Sequence, residues 1–169
     1  MLFESRIPSP LGELLLVSDA DERLRALDFA DCEARMRRLL RAHYGGLTPS
    51  PTAAPQRLRE SLAAYFDGEH DPFQGLELAT GGSPFQRAVW AALREIPSGA
   101  TTSYSALARA LGRPNACRAV GLANGANPIA IVVPCHRVIG ADGRLTGYAG
   151  GLERKRWLLE HEQSVRVAA

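Results

Sequence analysis

The stretch Thr80-Gly81-Gly82-Ser83-Pro84 divides the 169-residue chain into two halves of different character. Two glycines interrupt regular structure, Ser83 offers a helix N-cap, and Pro84 suits the first helical position, where an N–H has no intrahelical partner anyway. On the N-terminal side, residues 2–7, 13–18 and 24–29 are short runs rich in apolar residues. Pro8-Ser9-Pro10-Leu11-Gly12 and Asp19-Ala20-Asp21-Glu22 separate them with turn chemistry, so an antiparallel meander is expected. A helix over about residues 31–44 follows, with Cys32, Met36, Leu39, Leu40 and His43 on one face and Gly45-Gly46 as its stop. Residues 48–55, with three prolines, read as a surface loop, and residues 56–66 place Leu58, Leu62, Tyr65 and Phe66 at helical spacing. On the C-terminal side, Phe85, Val89, Ala92, Leu93 and Ile96 form the stripe of a helix ended by Pro97-Ser98-Gly99. The expected class is α+β: a small N-terminal α/β domain, residues 1–80, packed on a mainly helical C-terminal domain, residues 81–169.

Charge follows the same division. The formal total is only +2, but residues 1–80 hold 13 acidic and 9 basic side chains, and residues 81–169 hold 5 acidic and 11 basic. The halves therefore carry −4 and +6. Such asymmetry fits an anionic partner for the basic half; chance scatter of surface charge is the competing reading. Nearly all the basic groups are arginine, with Lys155 the single lysine. A 46% hydrophobic content is enough for a packed core. The opening MLFESRIPSP has no apolar run of a signal peptide, and the apolar run at residues 129–133 is far too short to span a bilayer. Three cysteines with no CxxC pair argue against a disulfide framework or a metal cluster, and for reduced thiols in the cytoplasm, away from membranes.

Three segments of the basic half carry chemistry. Ser103 can cap a helix over residues 104–111, Gly112 breaks it, and Pro114 can start another running to about Ala123. This is the helix-turn-helix pattern, which also occurs in ordinary helical cores. The second helix is slim: Asn115, Ala116, Cys117, Ala119, Gly121 and Ala123 are small, and Arg118 is long. It suits close approach to another surface, or tight internal packing with Arg118 capping a carbonyl. Next, the run Ile129-Ala-Ile-Val-Val-Pro-Cys-His-Arg-Val-Ile139 reads as a buried strand that delivers Pro134-Cys135-His136-Arg137 at its end. Proline breaks strand pairing, so Cys135 is expected at an accessible bend beside two cationic side chains, which favour the thiolate. A nucleophile is favoured over a structural cysteine, and zinc is disfavoured because no second ligand lies at suitable spacing. Last, Thr146-Gly-Tyr-Ala-Gly-Gly151 is a glycine-dense loop whose one large group is Tyr148, leading into a helix with Leu152, Leu158, Leu159 and Glu162. It is a loop that bends sharply or approaches a ligand, or else a flexible surface loop; it lacks the phosphate-loop spacing.

Together these motifs resemble the O6-alkylguanine-DNA alkyltransferases. Pro134-Cys-His-Arg-Val-Ile139, Arg118-Ala-Val-Gly, Asn127-Pro128, Gly147-Tyr148 and Gly150-Gly151 stand in that family's order and spacing across residues 82–162. The first eighty residues resemble it in size, element order and Ser9-Pro10-Leu11-Gly12. The resemblance implies a ribonuclease H-like N-terminal domain and a winged helix-turn-helix-like motif in the C-terminal one. It also implies a cofactor-free, metal-free monomer that binds double-stranded DNA through the minor groove and flips an alkylated guanine, or an O4-alkylthymine, out of the duplex. Cys135 would accept the alkyl group irreversibly, once per molecule. His136 would be its base through a bridging water, oriented by Glu162, and Tyr148 would donate a proton toward the base. Carbonyls at Cys135 and Val138 would read the exocyclic amine, in a pocket completed by Pro134, Ala149 and Gly150. Asn127 would be the hinge, Arg118 the finger filling the gap in the stack, and Tyr104 the group that crowds the target phosphate. Ala116, Ala119 and Gly121 would let the slim helix enter the groove. Arg109, Arg113, Arg118, Arg137 and Arg144 would then face DNA, with Asp142 the one acid among them.

Overall fold

Strand β2, Leu14–Asp19, is buried along its whole length and lies between β1, Leu2–Ile7, and β3, Leu24–Phe29. Both pairings are antiparallel, as the turn chemistry predicts. The computed structural model describes residues 1–168, and side chains through residue 164; Ala169, the last residue of the expected C-terminal domain, lies outside the described residues. A short fourth strand, β4 (Ser50–Pro51), lies parallel to β1 within the proline-rich stretch expected to be loop. Pro51 is tolerated there because β4 is an edge strand, where a missing N–H leaves no ladder bond unmade. The other edge, β3, is covered rather than open. Leu24 exchanges backbone hydrogen bonds with Glu77 and Ala79, and Leu27 with Pro128 and Ala130.

Helix α1, Glu33–Tyr44, buries Met36 and Leu40 against Leu2, Leu15, Val17 and Ala26. Cys32 is not part of that stripe. A 3-10 turn over Ala30–Cys32 precedes the helix, so the thiol sits half-buried at its entrance, 3.7 Å from Asp31 Oδ1. Helix α2, Gln56–Phe66, runs as the spacing predicts and buries Leu58, Leu62 and Tyr65. The chain forms two compact units, Met1–Gly82 with Pro128–Ala130, and Ser83–Asn127 with the chain from Ile131 onward.

The exit from the first unit is anchored. Tyr44 Oη donates to the Ala79 carbonyl (2.9 Å) and accepts from the Gly81 N–H (3.1 Å). A Cβ on residue 81 would lie 2.5 Å from His43 Cβ, an atom fixed to its own backbone that cannot swing aside. Gly81→Ala is therefore expected to cost about 1–3 kcal/mol. Gly46→Ala, in open space at an ordinary φ, is expected to stay within about 0.5 kcal/mol. Urea denaturation of both variants checks the contrast.

In the second unit, α3 (Pro84–Arg94) begins with a capping box: Ser83 Oγ accepts from Gln86 N–H, and Gln86 Oε1 accepts from Ser83 N–H. Its buried face holds Val89, Trp90 and Leu93, and Trp90 Nε1 donates to the Ala123 carbonyl at 2.8 Å. Trp90 was not part of the predicted stripe. Helix α4, Tyr104–Ala110, is capped by Ser103 as expected, and Gly112 takes φ 69° in the turn that follows. Helix α5, Cys117–Gly125, starts three residues after Pro114. The intervening residues close a turn, with the Ala116 N–H on the Arg113 carbonyl and Pro114 second in the turn, a position its fixed φ favours. Strands β5 (Thr102–Ser103) and β6 (Val138–Ile139) form a parallel pair, and α6, Leu152–Ala168, ends the fold. No helix among the described residues is long and apolar enough to cross a membrane.

The run at residues 129–133 is buried but is not a strand. Ile129 makes one bridge to Leu27, and Ile131 takes φ 69°, a left-handed conformation that a β-branched residue adopts only under strain. A continuous apolar run reports burial without reporting a period, so the strand expectation had no further support.

Candidate active site and nucleic-acid interface

Pro134 has φ −81° and ψ 64°, and the Cys135 N–H donates to the Val133 carbonyl at 2.8 Å. That is an inverse γ-turn, for which a proline ring is pre-set. It feeds the 3-10 turn Cys135–Arg137, so the expected bend exists, though Cys135 is only 7% exposed. Irregular backbone in a buried place needs side-chain partners. Asn127 Nδ2 donates to the Val133 carbonyl at 2.8 Å, and Asn124 Nδ2 reaches the Cys135 carbonyl at 3.4 Å. Asn127 thus joins the end of α5 to the turn before the thiol. Asn124 does the same one turn earlier in the helix, and sequence reasoning passed over it.

His136 is fully buried, and its Nε2 lies 2.7 Å from Glu162 Oε1. Among the described residues, His136 Nδ1 has no protein hydrogen-bond partner. If Glu162 accepts from Nε2–H, the ring is held in the tautomer that leaves Nδ1 as an acceptor. Arg137 closes the other side of the carboxylate: Nε donates to Oε2 at 3.0 Å, Nη2 to Oε1 at 2.9 Å, and Nη1 to the Ile96 carbonyl. Arg137 is therefore buried and does not belong to a DNA-facing set; its guanidinium is spent on an internal bidentate pair. Burial opposes ionisation of Glu162, but the attraction and hydrogen bonds of His136 and Arg137 outweigh it. The carboxyl is held well below its ordinary range.

Lys155 is fully buried, and its Nζ donates to the carbonyls of Val138 (2.7 Å), Thr146 (2.7 Å) and Gly147 (3.3 Å). Three acceptors match the three protons of an ammonium group. Burial lowers its pKa, and the nearby Cys135 charge acts in the opposite sense. The lysine thus pins the loop that carries half-buried Tyr148 to β6. The Gly151 N–H closes a turn on the Tyr148 carbonyl at 2.9 Å, and Arg154 donates to the Gly150 carbonyl. Ala149 is exposed. The carbonyls expected to read a base already serve inside the fold: Cys135 O takes the Val138 N–H and Asn124, and Val138 O takes Lys155, which leaves Val138 a second lone pair.

Helix α5 buries Val120, Ala123 and Asn124 and exposes Cys117, Arg118, Ala119 and Leu122. Ala116 is its N-cap. Gly121 turns toward α4: a Cβ there would lie 3.7 Å from Tyr104 Cδ1, an ordinary contact, so packing against the Tyr104 ring does not by itself require glycine. Tyr104 Oη also accepts from Thr146 Oγ1 at 3.0 Å. No group of three or more His, Cys, Asp or Glu side chains able to hold a metal occurs among the described residues.

Two family models match the chain. Residues 2–80 match the ribonuclease-like domain of 6-O-methylguanine DNA methyltransferase, and residues 84–164 match its DNA-binding domain. The chain belongs to the O6-methylguanine-DNA methyltransferase family. A methylated-DNA–protein-cysteine methyltransferase of Salmonella typhimurium is 55% identical over 95% of each chain. One from Mycolicibacterium paratuberculosis is 50% identical over 93% of this chain and 90% of its own. The crystal structure of Mycobacterium tuberculosis O6-methylguanine methyltransferase superposes with a TM-score of 0.82 at 43% identity, covering 97% of this chain and 94% of the other. That of M. tuberculosis OGT in complex with DNA gives 0.83 at 42% identity, over 96% and 94%. As in these methyltransferases, the fold is α+β, an N-terminal sheet domain with a helical C-terminal domain.

Proposed function

We propose that this methyltransferase-family protein reverses DNA alkylation damage by moving the alkyl group of an O6-alkylguanine onto Cys135, and that Cys135, His136 and Glu162 form the reacting relay. The single observation that carries the reading is the buried His136–Glu162 pair, with His136 Nδ1 left as acceptor, next in sequence to a thiol held on a γ-turn. His136 takes the thiol proton through a bridging water. The Cys135 sulfur forms a bond to the alkyl carbon, the carbon–O6 bond breaks, and the electron pair leaves on the guanine. A proton from Tyr148 neutralises the departing base, and the proton held by His136 makes that loss good. Thiol and alkylguanine go in; thioether and guanine come out. The thioether is stable, so each molecule acts once.

Double-stranded DNA is the partner. Exposed Arg118 on α5 fills the stack after the target nucleotide rotates out, Tyr104 crowds its phosphate, and Ala116 and Ala119 keep the helix slim in the minor groove. Asn127 is the hinge, and Pro134, Val138, Ala149 and Gly150 shape the pocket. Residues 1–80 act as a structural domain and residues 81–169 as the DNA-binding and acceptor domain. A thiol that must stay reduced until used suits the cytoplasm.

The test is an excess of duplex carrying one O6-methylguanine, incubated with the protein, which is then digested with trypsin. The three thiols fall in different peptides, because Arg118 and Arg137 bound the one holding Cys135. One methyl group on residues 119–137, at no more than one equivalent per protein, is the expected result. Methyl on the Cys117 peptide alone, or repeated turnover, would overturn the assignment.

A further inference from the structure

Arg118 is not the one long side chain on the slim helix. Leu122 lies one turn further along and is 72% exposed, the most exposed large apolar side chain among the described residues after Met1 at 83%. Single exposed leucines are ordinary on protein surfaces, so exposure alone means little. The position is what distinguishes this one. Residues four apart on a helix lie about 40° apart in azimuth and about 6 Å along the axis. Arg118 and Leu122 therefore share the outward face, while Val120, Ala123 and Asn124 are buried on the opposite side. The other exposed residues of the helix are small or lack a side chain: Cys117, Ala119, and Gly125 three residues beyond Leu122. The face presents one cation and one aliphatic group on an otherwise bare helix, in the half of the chain with a +6 charge.

We propose that Leu122 is a second minor-groove contact, an apolar side chain that packs on the deoxyribose wall beside the site opened by Arg118. This inference rests on the duplex-DNA reading above. The groove wall is lined by sugar C–H groups as well as phosphates, and minor-groove proteins use leucine among their apolar wedges. An offset of about 6 Å is less than two base-pair steps of 3.4 Å, so one groove segment can meet both side chains. The contact carries no charge and reads no base, which sets its signature apart from that of an arginine. It strengthens binding to damaged and undamaged duplex alike, and it does not change the salt dependence.

The experiment compares the full-length protein with Leu122→Ala, Leu122→Met and Leu122→Asn. It measures duplex affinity across a salt series, and alkyl transfer from free O6-benzylguanine as a check on the pocket. Leu122→Ala and Leu122→Asn are expected to weaken duplex binding about 5- to 20-fold, from the loss of a partly buried aliphatic side chain. Leu122→Met should stay within about twofold, all salt slopes should coincide, and transfer from the free base should be unchanged. Duplex affinity unchanged or improved in Leu122→Ala would overturn the proposal. So would a loss of self-association with duplex affinity intact, since the face would then meet a second copy of the chain. A parent protein that binds no duplex would overturn the function reading and this inference together, whereas parent binding with an indifferent Leu122→Ala removes only the inference.

Discussion

Glu162→Gln is expected to destabilise the protein by roughly 3–5 kcal/mol and to slow alkyl transfer by roughly two to four orders of magnitude. Both effects come from one carboxylate. Glu162 takes a hydrogen bond from His136 and two from Arg137, in a place with almost no solvent. An amide has one acceptor oxygen, and its NH2 would face the Arg137 donors. The guanidinium would then be a buried cation without a counter-charge, and that accounts for the stability loss. Set against a typical total of about 5–15 kcal/mol, the variant remains folded at low temperature but is strongly weakened. The rate effect has a different origin. The amide oxygen can still accept from Nε2–H, but it carries no charge to stabilise the imidazolium that forms as His136 takes the thiol proton.

Acid separates the two contributions. A carboxyl held below its ordinary value of 4.5 contributes its full stabilisation above that value and loses it as pH falls toward the folded-state value. The stability gap between parent and Glu162→Gln should therefore be constant near neutrality and narrow steadily below about pH 4.5. Urea titrations at pH 7 and at pH 3 measure it. A gap that is the same at both would mean the carboxylate's charge is not what stabilises the pair.

The parts of the fold that were readable from sequence share a property: a local signal with only one structural solution. Gln56–Phe66 follows a proline and keeps an apolar period of 3.6, and Ser83 with Gln86 at the third helical position forms a capping box. The parts that were not readable involve a polar group whose partner is remote in sequence. Arg137 reads as a surface cation beside His136, and only the fold brings Glu162, 25 residues away, onto it. The last helix shows the same effect. Among its described side chains the buried positions are Lys155, Leu158 and Glu162, spaced i, i+3 and i+7, whereas Leu152 at its start is 44% exposed. Reading that helix by hydrophobicity selects Leu152; reading it by period would have placed the chain's one lysine on the inner face. Residues 129–133 fail for the complementary reason, because an unbroken apolar run carries no period.

That lysine sets the second large effect. Lys155→Met keeps the length and apolar stem of the side chain, and removes three donors and a charge. The Val138 carbonyl is buried and loses its donor; those of Thr146 and Gly147 are partly open and can turn to water. The expected stability loss is therefore about 1–3 kcal/mol, the cost of one buried acceptor left unmade, rather than three times that. The functional loss should be larger than stability suggests. Lys155 is what ties the loop bearing Tyr148 to β6, and its positive charge acts on Cys135. Freeing the loop misplaces the proton donor, and removing the cation makes the thiolate harder to form. Transfer from an alkylated duplex is expected to fall by roughly a hundredfold, as when a general acid is displaced. A purely structural role would leave the pH dependence alone, so the deciding measurement is the rate of Cys135 alkylation by iodoacetamide as a function of pH. In Lys155→Met that profile should move to higher pH, because the thiolate has lost a neighbouring cation. An unshifted profile with slowed transfer would assign the lysine to loop geometry only. An unshifted profile with normal transfer would mean that the three carbonyls, and not the sulfur, are the reason a charge is buried there.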